Sequence, residues 1–264
     1  MTAPLPLRLC GLVLLGGLLA GCAGDDAEAD APVSPADAAS ETHDAHDEGH
    51  AWSYDDVDAW GETCASGTEQ SPIDLADATE EDLADLELDY RAAPAQVVDN
   101  GHTIQADIED GGTLTRDGVT YTLAQFHLHA PSEHLLDGEP YPAELHLVHQ
   151  AEDGALAVLG VLVEEGDAHP VVADVLASAP EAGADPIATT APIDVGTLLP
   201  ADLRTFRYDG SLTTPPCSEG VAWSVLQEPM TWSAEQIAAF EERHPGSHRP
   251  PQPLGARALL HDTD

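Results

Sequence analysis

At 264 residues the chain is long enough for one large domain or two small ones, and an apolar fraction of 42% can supply a proper core. Its 49 Asp and Glu stand against 8 basic residues, all Arg, for a net charge of −41. That balance excludes nucleic-acid or anionic-membrane surface binding, both of which need basic patches. Two readings of the acidity stand: adaptation to high salt, which screens the mutual repulsion, or drift of a GC-rich genome toward Ala, Asp and Arg. Unfolding followed across a salt series separates them.

At the N-terminus, Arg8 precedes an apolar run from Leu9 to Ala20, too short to span a bilayer as a stable helix. The run closes on Leu19-Ala20-Gly21-Cys22, which resembles a bacterial lipobox. Residues 1–21 are therefore expected to be a lipoprotein signal peptide. Cys22 is expected to be the lipidated new N-terminus, holding an exported protein at a cell envelope. The alternative is an ordinary signal peptide that ends near a Cys. Cys10 lies in the segment removed and Cys22 carries lipid, which leaves Cys64 and Cys217 in a compartment where disulfides persist. Pairing is the expectation, but spacing alone does not decide it, and two separate buried thiols remain the alternative.

Residues 22–50 are Asp, Ala, Glu, Pro and Ser with almost no large apolar groups, and are expected to form a disordered acidic tether. The tether contains His43, His46 and His50, which read either as a zinc-collecting arm or, more plainly, as part of a solvated polar segment. The folded domain is expected over 51–264, its start marked by Trp52, Tyr54 and Trp60.

From there the chain reads mainly as short strands. Alternating or β-branched runs predict strands at Ala95–Val98, Thr103–Ile108, Val119–Phe126, Glu144–His149, Leu156–Val163 and Val221–Leu226. Asn100-Gly101, Asp110-Gly111-Gly112, Asp117-Gly118 and Asp137-Gly138 punctuate them. Two helices are predicted. One covers His169–Ala177. The other opens on Ser233 as N-cap, with Gln236 three residues on, and runs through Phe240. No internal repeat is present.

Within Gln125-Phe126-His127-Leu128-His129, strand alternation puts Gln125, His127 and His129 on one face. Glu144, His146 and Val148 share a face in the same manner. Two neighbouring strands with those faces aligned aim three imidazoles at one point. Three neutral His with an open fourth position suit a catalytic Zn²⁺. Gln125 and Glu144 each sit two residues before a candidate ligand, where a polar partner for the second ring nitrogen belongs. The residues alone also allow a polar sheet face of satisfied histidines.

The runs Gln125-Phe126-His127-Leu128-His129-Ala130-Pro131-Ser132-Glu133-His134 and Tyr141-Pro142-Ala143-Glu144-Leu145-His146-Leu147-Val148-His149 resemble the α-class carbonic anhydrases. So do Gln70-Ser71-Pro72-Ile73-Asp74, Asn100-Gly101-His102, Ser211-Leu212-Thr213-Thr214-Pro215-Pro216-Cys217 and Arg249-Pro250-Pro251-Gln252-Pro253-Leu254. The resemblance runs in family order from about Trp52 to Leu260. It implies a mainly β (α+β) fold, a central twisted, largely antiparallel sheet of about ten strands with peripheral helices. It implies an enzyme, a zinc-dependent carbonate dehydratase in which zinc-bound hydroxide attacks CO₂ to give bicarbonate and a proton. An esterase side activity follows from the same nucleophile.

Carried over residue by residue, the resemblance makes His127, His129 and His146 the ligands of one Zn²⁺. Gln125 and Glu144 would orient His127 and His146, and a backbone carbonyl near Ser247 would hold His129. Glu133 and Thr213 would fix the direction of the hydroxide. Val148, Leu156, Val158, Leu212, Thr214, Val221 and Trp223 would form the substrate pocket. His102 would be the proton shuttle, with Tyr54, Asn100 and Gln105 ordering the connecting waters. Cys64 and Cys217 match the disulfide of exported members. The expected partners are CO₂, bicarbonate and a membrane reached through lipid, with no nucleic acid; a homodimer is left open. The competing readings are a non-catalytic, carbonic-anhydrase-like zinc-binding envelope lipoprotein, and a zinc-buffering lipoprotein using the His43–His50 arm.

Overall fold

Runs of alternating and β-branched residues build most of the molecule. The computed structural model describes residues 52–263; Cys10, the lipobox with Cys22, the tether and His43, His46 and His50 lie outside them. The strands, in chain order, are β1 (Thr79–Glu81), β2 (Glu87–Tyr90), β3 (Ala95–Asp99), β4 (Ile104–Ile108), β5 (Gly112–Arg116), β6 (Val119–His129), β7 (Leu135–Leu136), β8 (Glu139–Pro140), β9 (Ala143–Gln150), β10 (Leu156–Glu165), β11 (Ile187–Ala188), β12 (Thr205–Ser211), β13 (Glu219–Leu226), β14 (Met230–Trp232) and β15 (Leu260–Asp262). The α-helices are α1 (Glu62–Ser66), α2 (Pro170–Ser178) and α3 (Ala234–Arg243).

Thirteen strands share one sheet, whose main path runs β1-β15-β12-β13-β10-β9-β6-β4-β3-β11. The other three members attach at its side: β5 pairs β6, β2 pairs β5, and β14 pairs β10. This corrects the expected count of about ten. The sheet is mixed: β1–β15, β10–β13 and β10–β14 are parallel, and the remaining pairs are antiparallel. A parallel neighbour needs a long crossover. The chain supplies one between β10 and β13, passing through α2 and β12.

The sheet packs an apolar layer on each face. One cluster contains Leu123, Phe126, Leu128, Leu145, Leu147, Leu159 and Val161 and is covered by α2 and α3 through Val172, Val175, Ile237 and Phe240. The other contains Ile73, Val148, Leu156, Val158, Val221 and Trp223. Between Leu123 and Gln125 the register of β6 against β9 shifts. Without that bulge Leu123 and Phe126 would point to opposite faces; with it they join one core, and Gln125, His127 and His129 take the other face.

Helix α3 begins as expected: Ser233 accepts the Gln236 N–H, and the Gln236 side chain accepts the Ser233 N–H. It runs one turn past Phe240, to Arg243. Gln236 also bonds both the N–H and the C=O of His169, the N-cap of α2, so the two helix starts are tied together.

Cys64 and Cys217 form a disulfide that closes a separation of 153 residues. In a chain without Lys, the Arg side chains clamp loops through carbonyls. Arg249 donates to Ser71 O and Cys64 O, and Arg257 to Gln70 O, Asp209 O and Pro253 O.

Candidate metal centre

Strands β6 and β9 place His127 directly opposite His146, His129 opposite Glu144 and Gln125 opposite Val148. These six side chains share the face predicted from alternation. The nearest ring nitrogens of His127, His129 and His146 all lie within 4.8 Å of one another.

Each imidazole has its other nitrogen occupied. His127 Nδ1–H donates to Gln125 Oε1 at 2.8 Å, and His129 Nδ1–H to Ser247 O at 2.7 Å. His146 Nε2–H donates to Glu144 Oε1 at 2.9 Å. Amide, carbonyl and carboxylate oxygens only accept, so these bonds fix the tautomers. His127 Nε2, His129 Nε2 and His146 Nδ1 are left with lone pairs turned toward a common point.

Burial holds all three imidazoles neutral. It is the largest influence on His129, which is pushed down to about 4. Burial, then the neighbouring His129 and His146, lowers His127 well below the usual range. Burial also lowers His146, against the opposing pull of Glu144. A neutral imidazole is the form that binds a metal.

Glu133 and Thr213 complete the floor. Glu133 is buried and its Oε1 accepts the Arg249 N–H at 2.8 Å. Its Oε2 has no hydrogen-bond partner and lies 3.5 Å from His129 Nε2, which has none either. Burial raises the Glu133 pKa, while His146 and a hydrogen bond from Thr213 draw it back. Buried polar atoms are rarely left unpaired. An unpaired carboxylate oxygen beside three converging imidazole lone pairs, one of them the unpaired His129 Nε2, is what a cation and its water would satisfy, so the residues present fit Zn²⁺.

The sequence reading assigned no role to His134, Tyr208 or Ser71. Glu144 Oε1 accepts His134 Nδ1–H at 2.7 Å as well as His146, and its Oε2 accepts the amides of Glu133 and His134 at 2.9 Å each. His134 Nε2 is 2.7 Å from the Tyr208 hydroxyl, which is in turn 2.9 Å from Ser71 Oγ. Burial works to raise Glu144, but the two imidazoles outweigh it and hold the carboxyl well below its usual range. His134, Glu144 and His146 are mutually close enough to suggest a second metal group. Their direct hydrogen bonds make them a support for His146 instead. In the sequence, His134 and Ser71 lie inside runs that carry the family resemblance, and Tyr208 lies in none of them.

The apolar residues assigned to the substrate pocket fall in one cluster. Val148, Leu156, Val158, Val221 and Trp223 belong to the cluster on the histidine side of the sheet, and Leu212 packs against it. Trp223 Nε1–H donates to Ser211 O at 2.9 Å, which seats the loop carrying Thr213 and the half-buried Thr214.

His102 is half-buried and stacks on Trp52, ring centroids 3.6 Å apart and 11° from parallel. Its turn is held by Asn100 Oδ1, which accepts the N–H groups of His102 and Thr103 at 2.9 Å each. The Tyr54 hydroxyl is buried without a partner, and burial followed by the charge of Glu133 raises its pKa well above the usual value. Gln105 pairs opposite His127, but its amide donates to Asp107 Oδ1 at 2.6 Å. Tyr54 therefore has a free hydroxyl, whereas Asn100 acts first on the turn and Gln105 on Asp107.

Residues 51–262 match the eukaryotic-type carbonic anhydrase family. The chain is similar to a carbonic anhydrase of Pectobacterium carotovorum, 40% identical over 220 residues, which cover 80% of this chain and 90% of that protein. Among solved structures it is similar to the Photobacterium profundum alpha-carbonic anhydrase, with a TM-score of 0.75 and 43% identity over 80% of this chain and 100% of that one. The alpha-carbonic anhydrase of Thermovibrio ammonificans, solved with the inhibitor sulfanilamide, gives a TM-score of 0.73 and 43% identity over 75% and 89%.

Proposed function

The chain belongs to the eukaryotic-type, or alpha, carbonic anhydrases, and on that premise we propose that it catalyses the reversible hydration of CO₂ to bicarbonate and a proton with one Zn²⁺ held by His127, His129 and His146. The observation that carries the reading is the convergence of three imidazole lone pairs whose other nitrogens are each tied to an acceptor. Zn²⁺ supplies there a Lewis acid that makes water nucleophilic near neutral pH.

The chain's own residues do the rest. Gln125, Glu144 and the Ser247 carbonyl hold the ligand rings in one tautomer and orientation. An ionised Glu133 can only accept, so the Thr213 hydroxyl proton turns toward it and the Thr213 oxygen faces the site as an acceptor. This fixes the direction of the attacking water. Val148, Leu156, Val158, Leu212, Val221 and Trp223 exclude bulk water and receive apolar CO₂, and the half-buried Thr214 is assigned to the same pocket. His102 takes the released proton on a ring nitrogen and passes it to buffer, since an imidazole titrates near neutral pH. The Tyr54 hydroxyl helps order water on that path. Hydrolysis of activated esters is a side activity of the same nucleophile.

Thr213→Ala is expected to keep a full equivalent of zinc and to lower kcat/KM by roughly 10²-fold. Zinc analysis beside stopped-flow hydration checks it; an unchanged rate contradicts the role given to Thr213. His102→Ala is expected to lower buffer-limited turnover by about ten- to a hundred-fold. It should leave kcat/KM unchanged and be rescued by added imidazole. Turnover that does not fall removes His102 from the proton path.

The enzyme acts outside the cytoplasm, tethered through lipid on Cys22 by the acidic segment 22–50. Support comes from the lipobox-like run and from a disulfide, which persists in oxidising compartments. Cys22→Ser is expected to move the protein from the membrane to the soluble fraction on cell fractionation; a variant that stays with the membrane contradicts the anchor.

A further inference from the structure

The cavity beside His102 contains a second imidazole. About 240 Å³ in volume, it is bordered by Trp52, Tyr54, Asp55, His102, Arg243 and His244. His244 stands at the C-terminal end of α3, buried, with its ring 5.5 Å from that of Phe240. Its Nε2 is 3.1 Å from Asp99 Oδ2, off the line that a hydrogen bond needs.

Asp99 is buried at the end of β3 and ties this group together. Its Oδ2 accepts Arg243 Nη2–H at 2.9 Å. Its Oδ1 accepts the N–H of Gly101, the residue before His102, at 3.0 Å. One carboxylate thus links the turn carrying His102 to the helix end carrying His244. The Asp99–Arg243 pair is close to neutral by itself, so a proton on His244 gives the cluster a net positive charge that faces His102. A proton on His102 acts on His244 in the same way. Two interacting titratable groups lose their protons in two macroscopic steps that belong to the pair and not to either imidazole.

We propose that His244 is a positioning residue for proton transfer, an imidazole coupled to His102 across their shared cavity so that the two hold a single exchangeable proton between them. The groups that face the pair are Tyr54 and Asp55 from the N-terminal segment, Asp99 from β3, and Arg243 from α3; Trp52 stacks on His102 without titrating. Burial lowers both imidazoles, His244 adds to the lowering at His102, and at His244 the pull of Asp99 opposes that of Arg243. Coupling of this kind keeps His102 ready to release its proton. This consequence for turnover rests on the shuttle role given to His102, whereas the coupling itself does not.

The test is an NMR titration of the His Cε1–H signals in the full-length protein, comparing wild type with H244N and H102N. In H244N the His102 curve is expected to become a single step shifted to higher pH. Linkage requires an equal upward shift of His244 in H102N. The buffer-limited kcat profile of H244N should move in the same direction with kcat/KM unchanged, a split that mere loosening of the fold would not produce. A His102 curve that superimposes on wild type in H244N overturns the proposal. If H244N loses its near-UV circular dichroism, H244Q serves in its place, with the same criterion. Should His102→Ala leave buffer-limited turnover intact, the shuttle role falls and the coupling is still decided by the NMR curves alone.

Discussion

His129→Ala is expected to reduce CO₂ hydration to background and to leave the protein unable to retain zinc through dialysis. His129 is wholly buried, and its ring is locked by the Ser247 carbonyl 118 residues away in sequence. Removing it takes one of three donors from a site that needs three protein ligands and an open fourth position. It also leaves Ser247 O without its donor and opens a polar hole beside Glu133 Oε2, 3.5 Å from the missing Nε2. Water can fill that hole but does not reproduce an anchored imidazole. Metal analysis and hydration assays on the purified variant read the two losses together. Retained zinc with a wild-type rate contradicts the ligand assignment.

Reduction of the Cys64–Cys217 disulfide is expected to cost roughly 2–5 kcal/mol of stability. For a domain of this size that corresponds to a melting temperature lower by roughly 4–20 °C. The loop closed is long, and one end sits where loss is felt by the site. Cys217 holds φ at +57°, a conformation non-glycine residues seldom adopt, and its N–H bonds Thr214 O at 2.8 Å. Its carbonyl accepts the Gln70 side chain at 3.1 Å. With the tether cut, the segment carrying Thr213 and Thr214 loses one of the constraints on its backbone, so hydration is expected to weaken before global unfolding. Thermal unfolding with and without reductant, repeated on Cys64→Ser, checks this. Coincident melting curves contradict it.

The central strands were legible in the sequence because they carry clear alternation or unbroken β-branched runs. β3, β4, β6, β9, β10 and β13 all fall where the patterns place them, although β6 runs three residues further, to His129. β12 was not legible. Arg207 and Asp209 interrupt its apolar residues, and only the fold shows Arg207 satisfied while buried, by Thr205 Oγ1 at 2.8 Å and Ala84 O at 2.7 Å. Strands such as β1, β11 and β15 are two or three residues long and exist because a distant partner pairs with them, which no local period reports.

The site divides along the same line. The three histidines with Gln125 and Glu144 follow from a period of two on neighbouring strands. The hold on His129 is a main-chain carbonyl, which any residue at position 247 supplies, so the residue type carries no signal. His134 and Tyr208 meet across 74 residues, and His244 meets Asp99 at a helix end with no motif to mark it. The family resemblance alone supplied the roles expected of Thr213, Glu133 and His102; their geometry came only with the fold.

The most direct measurement of the central claim is stopped-flow CO₂ hydration by the purified chain, before and after a zinc chelator and again after zinc is restored. Rapid hydration is expected, lost with the metal and restored by one equivalent of zinc. Hydration that survives complete removal of zinc, or no hydration with zinc fully bound, would contradict that claim.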